Sequence, residues 1–376
     1  MSWDCYCTIC GGPFEICQFR TIRKAKPADS QHQATDATGD GRERAEEPSS
    51  AGEYDSDESD ESEYGFGNDV YDEDIITADE ARWTRTLSVL GLNPHAAGAK
   101  KAFVSGPGRY YDRSIVDVEV GDDPSYPYTE AYRFRCYSPD DDDDPVFPFH
   151  RPCYELLAQA LTRTDGVETA VKQVGKDALY AAMQSIPHPI RRCLSLDYGF
   201  NAKAQEQWWR CMLGYEFVVA PLDCTPASSA LLRATIASHS FQPAAVARDL
   251  APKVRNDLFQ KLPFEIFHMV LSLVGDNDAV LSLCRASWPV NAALRDNEPF
   301  WRSRIRTSLR CLFELHPLIA DDHLPPGKSL KGLLLALDAL TRPRKHMRGP
   351  FMGLANRRHV WSVCEQLVDV YLAASR

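Results

Sequence analysis

Two short spacings, one near each end of the N-terminal half, constrain the fold of this chain more than any other feature. Cys7-Thr8-Ile9-Cys10 sets two thiols two residues apart, ahead of Gly11-Gly12, and His150-Arg151-Pro152-Cys153 repeats that spacing about 140 residues later. Thiolates so spaced can share one metal ion, and glycine lets the backbone turn tightly beneath it. One such pair is only half of a tetrahedral site. If the second pair completes it, the two segments must meet in space. A long insertion between them is tolerable because loop-closure entropy grows slowly with length. The expected site is therefore Cys7, Cys10, His150 and Cys153 around a structural zinc ion. The alternative is that these are ordinary thiols and a histidine at a strand end. Cys5, Cys17 and Cys136 are further thiols of the same half that leave other ligand sets open.

A helix-patterned run, Tyr154 to Leu161, follows the second pair at once, so the arrangement resembles a treble-clef zinc site. Four protein ligands would close the site, whereas a catalytic ion keeps one position open beside a general base. A zinc-dependent hydrolase is the contrasting class, and no acid or base stands out by spacing to serve it. A RING-type ligase needs two metals and about eight ligands, more than this half supplies. A cysteine nucleophile with His150 has no local signature to support it. Twelve cysteines in a chain without an evident secretory signal read as thiols or metal ligands rather than a disulfide framework.

The 376 residues exceed what one compact domain usually needs. A net charge of −11 argues against non-specific nucleic-acid binding, which wants a basic surface. Much of the acidity sits in two runs, Glu53 to Glu63 and Asp140 to Asp144. No apolar run is long enough to span a membrane. Residues 22–78 are too poor in apolar side chains to offset chain entropy and read as a disordered acidic loop. Ser56, Ser59 and Ser62 lie among its acids, where an acid-directed kinase could modify them; a plain solvated linker explains the same composition.

Folding signals resume near Ala81. ARWTRTLSVLGL suggests a short helix or strand, and KAFVSG, SIVDVEV and AYRFRCY read as strands separated by Gly106-Pro107-Gly108 and Gly121-Asp122-Asp123-Pro124 turns. Val167 to Ile186 reads as one further helix, and Tyr215 to Val219 closes this half. Residues 225–254 read as a linker, part of which could be helical. The last seventy residues are helix-patterned, with Val360, Cys364, Leu367, Val368 and Tyr371 on one face.

Between them lies LPFEIFHMVLSLVGDNDAVLSLCRASWPVNAALRDNEPFWRSRI, from Leu262 to Ile305. Pro263 suits a first helical turn. Ile266, Val270, Leu273 and Val274 form one apolar stripe with Phe267 and Leu271 beside it. Gly275 is placed to end that helix in a left-handed conformation and Asp278 to cap the next, Ala279 to Ala286. Pro289 and Pro299 read as breaks. So much apolar surface on so few residues is more than the segment can bury alone. In order and spacing the segment resembles an F-box, carried by Leu262-Pro263, Glu265-Ile266, Val270-Leu271, Leu281, Leu283, Ser287 and Phe300-Trp301-Arg302. Trp288-Pro289 departs from the pattern, which more often has a basic residue followed by an aromatic. The resemblance implies that Leu262, Pro263, Ile266, Val270, Leu271, Leu281, Leu283 and Trp301 form the surface for a Skp-type adaptor, with Trp301 closing the module.

The chain as a whole is similar to a fungal family of F-box proteins with an N-terminal CxxCGGP motif. The matching residues are Cys7-x-x-Cys10-Gly11-Gly12-Pro13, Val104-Ser105-Gly106, Phe147-Pro148-Phe149-His150-x-x-Cys153, Gln207-Trp208-Trp209 and Asn356-Arg357-Arg358-x-x-Trp361. Taken together the expectation is an α+β protein: a zinc-knuckle segment (1–21), the acidic loop (22–78), a mixed α/β domain completing the zinc site (79–224), the linker (225–254), an all-α F-box (255–305) and a C-terminal helical region (306–376). The resemblance implies a non-catalytic substrate receptor of a Skp–cullin–F-box ubiquitin ligase, cytoplasmic or nuclear, with an unnamed protein target and no nucleic-acid or membrane partner. The rival is an F-box scaffold or regulator acting outside a ligase. No leucine-rich or WD period offers an obvious target platform. Trp208-Trp209 reads as core, and the basic run Arg342 to Arg348 as a solvated loop before a nuclear signal.

Overall fold

The β-branched and aromatic runs assemble into one antiparallel sheet, and helices cover it from both later parts of the chain. The computed structural model describes residues 5–14, 19–21, 70–112, 114–137, 144–164, 166–186, 194–199, 211–222, 226–238, 256–320 and 329–375. The acidic run Glu53–Glu63, its three serines, Asp140–Asp143, Cys17, Gln207-Trp208-Trp209 and most of the expected linker lie outside these residues.

A two-residue parallel pair, β1 (Phe19–Arg20) with β2 (Tyr71–Asp72), joins the ends of the long insertion. Tyr71 and Ile76 are buried against Phe217, Val219, Met347 and Met352. Residues 70–78 therefore belong to the fold, which corrects the C-terminal end of the expected disordered stretch 22–78. The reason is local: Tyr71, Ile75 and Ile76 restore apolar content before the sequence window does.

A 3-10 helix, Glu80–Arg85, leads into β3 (Leu87–Leu92), whose register organises the sheet. β3 pairs with β4 (Ala102–Val104), with β5 (Gly108–Asp112) and, on its other edge, with β8 (Phe147–His150). The order continues through β6 (Ile115–Val118) to β7 (Tyr132–Arg135). In β6 the alternation turns Val116 and Val118 into the core, while Asp117 faces out to Arg133 at 2.7 Å. β5 is an addition to the expected strands. Gly108, expected in a turn, begins it, because a Cβ there would lie 2.3 Å from the Asp117 carbonyl oxygen. Gly108→Ala should therefore loosen the β5–β6 pairing and destabilise the protein by roughly 1–3 kcal/mol. A thermal melt unchanged by that substitution would show that the strands can separate freely at this point.

α1 (Arg151–Thr162) follows β8 directly. The expected single helix over 167–186 is two, α2 (Val167–Gln173) and α3 (Lys176–Ser185), divided at Gly175. Glycine weakens a helix interior, and here its extended backbone lets its N–H donate to the Tyr371 hydroxyl at 3.0 Å. Part of the expected linker is α4 (Pro226–Ala237).

Four helices follow: α5 (Phe264–Leu273), α6 (Asn277–Ala286), α7 (Trp288–Arg295) and α8 (Glu298–Ser308). Three details differ from expectation. α5 ends in extended Val274 rather than a left-handed Gly275. Asp276, not Asp278, caps α6, accepting from the Asp278 and Ala279 N–H groups. Pro289 and Pro299 start α7 and α8 instead of breaking the chain, since a first-turn N–H has no helical partner to lose. Arg304 then ties α8 back to the end of α5, donating to the Val274 and Gly275 carbonyls and to Asn277.

α9 (Leu315–Leu318), α10 (Leu330–Thr341) and α11 (Met352–Ala374) complete the fold. The 23-residue α11 packs on α1, α3 and α10. One apolar core thus runs from Cys5 through the sheet and α5–α8 to Leu367, so the C-terminal helices are not a separate region. The basic run is held to this body: Arg342 pairs with Asp278 and Asp338, and Met347 is buried. Among the described residues no helix is long and apolar enough to cross a membrane.

Candidate metal centre and exposed helical face

The β3–β8 pairing ends at Leu87 opposite His150, and α1 starts at the next residue. His150 is thus the N-cap of α1 and Cys153 lies in its first turn. The knuckle reaches them through Thr8, whose N–H and hydroxyl both donate to the Pro148 carbonyl at 2.9 Å. The chain then reverses: the Gly11 N–H bonds the Cys7 carbonyl and the Cys7 N–H the Gly12 carbonyl, each at 2.8 Å. Gly11 takes a φ of 69°, which favours glycine, and Tyr198 packs so close that a Cβ there would clash with its ring. The Tyr198 hydroxyl donates to the Thr8 carbonyl at 3.0 Å, and the Tyr137 hydroxyl to the Tyr6 carbonyl.

These supports bring Cys7, Cys10, His150 and Cys153 together as expected. All four are buried, and their ligand atoms lie within 4.8 Å of one another. A tetrahedron of sulfur ligands about 2.3 Å from zinc has edges of about 3.8 Å, so the donors need move only slightly to close on an ion. The histidine is oriented for it. Its Nε2 lies 3.0 Å from the Pro13 carbonyl and can only donate there, so in the neutral ring the lone pair is on Nδ1, which faces Cys10 at 3.4 Å and Cys153 at 3.8 Å. Phe14 and Trp83 meet the imidazole edge-on from two sides, with ring centres 4.9 and 5.0 Å away. Backbone N–H groups of Gly12 and His150 point at the sulfurs of Cys10 and Cys7, at 3.3 and 3.4 Å.

The electrostatics ask for a cation. Burial pushes the Cys10 and Cys153 thiols well above their ordinary range. At Cys7 burial acts the same way, but hydrogen bonds from Cys10 and Cys153 and the nearby His150 outweigh it and hold the thiol well below that range. Three thiols thus crowd one point and compete for a single negative charge. A dication at the centre would let all three ionise. The donor set of three sulfurs and one imidazole suits zinc, and four protein ligands leave it no open coordination position. Cys5 and Cys136 are buried in contact with each other and are not among the four clustered donors.

The second group of expected residues divides. Ile266, Val270 and Leu262 are exposed, by 46, 38 and 38 %, and Pro263 is exposed beside them. Leu281 and Leu283 are half-buried. Leu271 and Trp301 are buried, at 0 and 2 %, which corrects their place on a docking surface. Leu271 shares the inner face of α5 with Phe267. Trp301 closes the helical module from within, its indole N–H donating to the Leu294 carbonyl. The outer face adds residues that the expected set lacked: Met269 and Leu273 on α5, and Leu258 just before it, 58, 81 and 75 % exposed. Ile266, Met269, Val270 and Leu273 fall at i, i+3, i+4 and i+7. That spacing was available in the sequence, but α5 carries two apolar stripes, this one and Phe267 with Leu271, so periodicity could not say which faces in.

No family model, no curated protein and no solved structure matches this chain.

Proposed function

We propose that this protein is a non-catalytic substrate receptor of a Skp–cullin–F-box ubiquitin ligase. In this reading α5–α8 is the F-box, the N-terminal half is held by structural zinc, and ubiquitin transfer belongs to other subunits. The observation that carries it is the outer stripe of α5: four large apolar side chains, Ile266, Met269, Val270 and Leu273, with Leu258 and Leu262 before them, left in water on a module whose sequence resembles a docking helix set. Contiguous exposed apolar surface of this kind marks interaction sites, and fully burying each such side chain is worth about 1.5–3 kcal/mol before the costs of association. The fully donated metal cluster supports a structural rather than a hydrolytic ion.

The test is capture of the intact chain by a purified Skp-type adaptor, beside an Ile266→Asp, Leu273→Asp double variant. Both positions are exposed, so circular dichroism should show an unchanged fold. The native chain should bind, and the variant should bind roughly a hundredfold more weakly or not at all. Failure of the folded native chain to bind would remove the docking assignment. Recovery of a cullin with the adaptor separates the ligase subunit from an F-box scaffold acting elsewhere.

A further inference from the structure

A cavity of about 480 Å³ opens where α1, α8 and α11 meet, away from both the metal cluster and the outer face of α5. Three arginines reach it from two elements. Arg163 follows α1 in a left-handed conformation with φ 56°, Arg306 lies in the last turn of α8, and Arg310 lies just beyond that helix. All three are exposed, and none pairs with a described acid. In a chain with 53 acidic and 42 basic residues, unpaired arginines converging on one hollow are against the average. The carbonyl end of α8 favours a cation nearby and accounts for Arg306. It does not account for all three lining the same space.

Across the cavity the α11 wall has the opposite sign. Glu365 and Asp369, one turn apart, line it, and Glu365 accepts the Trp361 indole N–H at 3.0 Å. Phe313 contributes an apolar surface. A site with a cationic wall and an anionic wall disfavours a polyanion such as nucleic acid. It fits a ligand with one concentrated negative charge and N–H donors or a basic residue beside it. Guanidinium forks match the oxygens of a phosphate monoester bidentately, better than a lone lysine would. The volume suits one modified side chain with its flanking backbone.

We infer that this cavity binds a phosphorylated peptide, with Arg163, Arg306 and Arg310 on the phosphate and Glu365 and Asp369 on the flanking N–H groups. As the capture site for a ligase target, the inference rests on the receptor reading above; as a binding site, it does not.

The experiment uses the full chain and a labelled degenerate nonapeptide library centred on phosphoserine, the same library centred on serine, and inorganic phosphate as competitor, read by fluorescence anisotropy. The phosphorylated library should bind saturably and the serine library should not. Arg306→Gln with Arg310→Gln should weaken binding at least tenfold on the order expected for lost charge-assisted hydrogen bonds, with an unchanged melting curve. Inorganic phosphate should compete only at concentrations far above those of the peptide. Absence of saturable binding, equal binding of the serine library, undiminished binding by the variant, or competition by phosphate as effective as by peptide would each overturn the inference. Adaptor capture is measured on the same preparations and should be identical for native and variant. Peptide binding without adaptor capture sinks the ligase reading and leaves the pocket standing, and the reverse outcome does the opposite.

Discussion

The chain purified without chelator should carry about one zinc ion per molecule, and Cys153→Ser should carry almost none. The expected loss of stability is more than about 4 kcal/mol, the range reached when a metal or disulfide is removed, and on the order of 10 °C in Tm. The reason is positional. The four ligands are where the knuckle, β8 and α1 meet, and the ion would join there the burial of Ile9 and Phe14, Thr8 on Pro148 and two tyrosine hydroxyls on the knuckle carbonyls. Without the ion, three buried thiols and an imidazole lone pair face each other unsatisfied. Acid should act in the same direction, because ligands must lose their protons to bind and regain them as pH falls. Cobalt substitution gives a second readout, the visible absorption of a tetrahedral ion with three thiolates. Cys5→Ser and Cys136→Ser serve as controls. They are buried nearby but are not among the clustered donors, so both should retain the ion. Equal metal loss in a control would show that the ligand set is wrong, and an undiminished melt of the metal-free chain would show that the ion holds nothing together.

How far the sequence could be read follows from which forces are local. The ligand set was legible because metal chemistry fixes residue type and spacing regardless of the 140 intervening positions. The groups that prepare it were not. Pro13 acts through its carbonyl, Trp83 and Phe14 through ring edges, and Tyr198 through a hydroxyl on a distant backbone, none of which leaves a spacing. β6 and β7 were legible from β-branched and aromatic alternation, whereas β5 was hidden because GRYYD opens with the glycine that the close β6 backbone demands. Cap positions slipped by two residues at α6, since Asp276 and Asp278 are chemically equal and only the turn geometry decides between them. On α5 two apolar stripes competed for the core. Phe267 and Leu271 face it, which left Leu271 inside and Met269 and Leu273 outside.

Glu314→Ala should be nearly as damaging as loss of a metal ligand, at about 3–5 kcal/mol, although it lies far from the cluster in the sequence. Its carboxylate accepts two hydrogen bonds from Arg357 Nη1, at 2.8 and 2.6 Å, and the Arg357 side chain is completely buried. The same guanidinium reaches the Cys311 carbonyl and the Ser228 hydroxyl at 3.3 and 3.2 Å, and sits over the Phe313 ring. One side chain of α11 thereby holds α4 and α9 together, and removing its counter-ion strands a charge where water cannot follow. The neighbouring residues do similar work. The Asn356 amide donates to the Ala220 carbonyl at 2.8 Å, and Arg358 pairs with Asp338 at 2.6 Å. Asn356, Arg357 and Arg358 of the Asn356-Arg357-Arg358-x-x-Trp361 motif thus clamp the C-terminal helix to the rest of the fold. Desolvation makes such a pair costly to break and cheap to replace, so Glu314→Leu with Arg357→Met should recover most of the stability that either change alone loses. Urea denaturation of the two singles and the double measures this directly. Because the pair is buried, the single-variant losses should barely change with added salt. A loss below about 1 kcal/mol in Glu314→Ala, or one abolished by salt, would place the pair in solvent and leave α11 held by apolar packing alone.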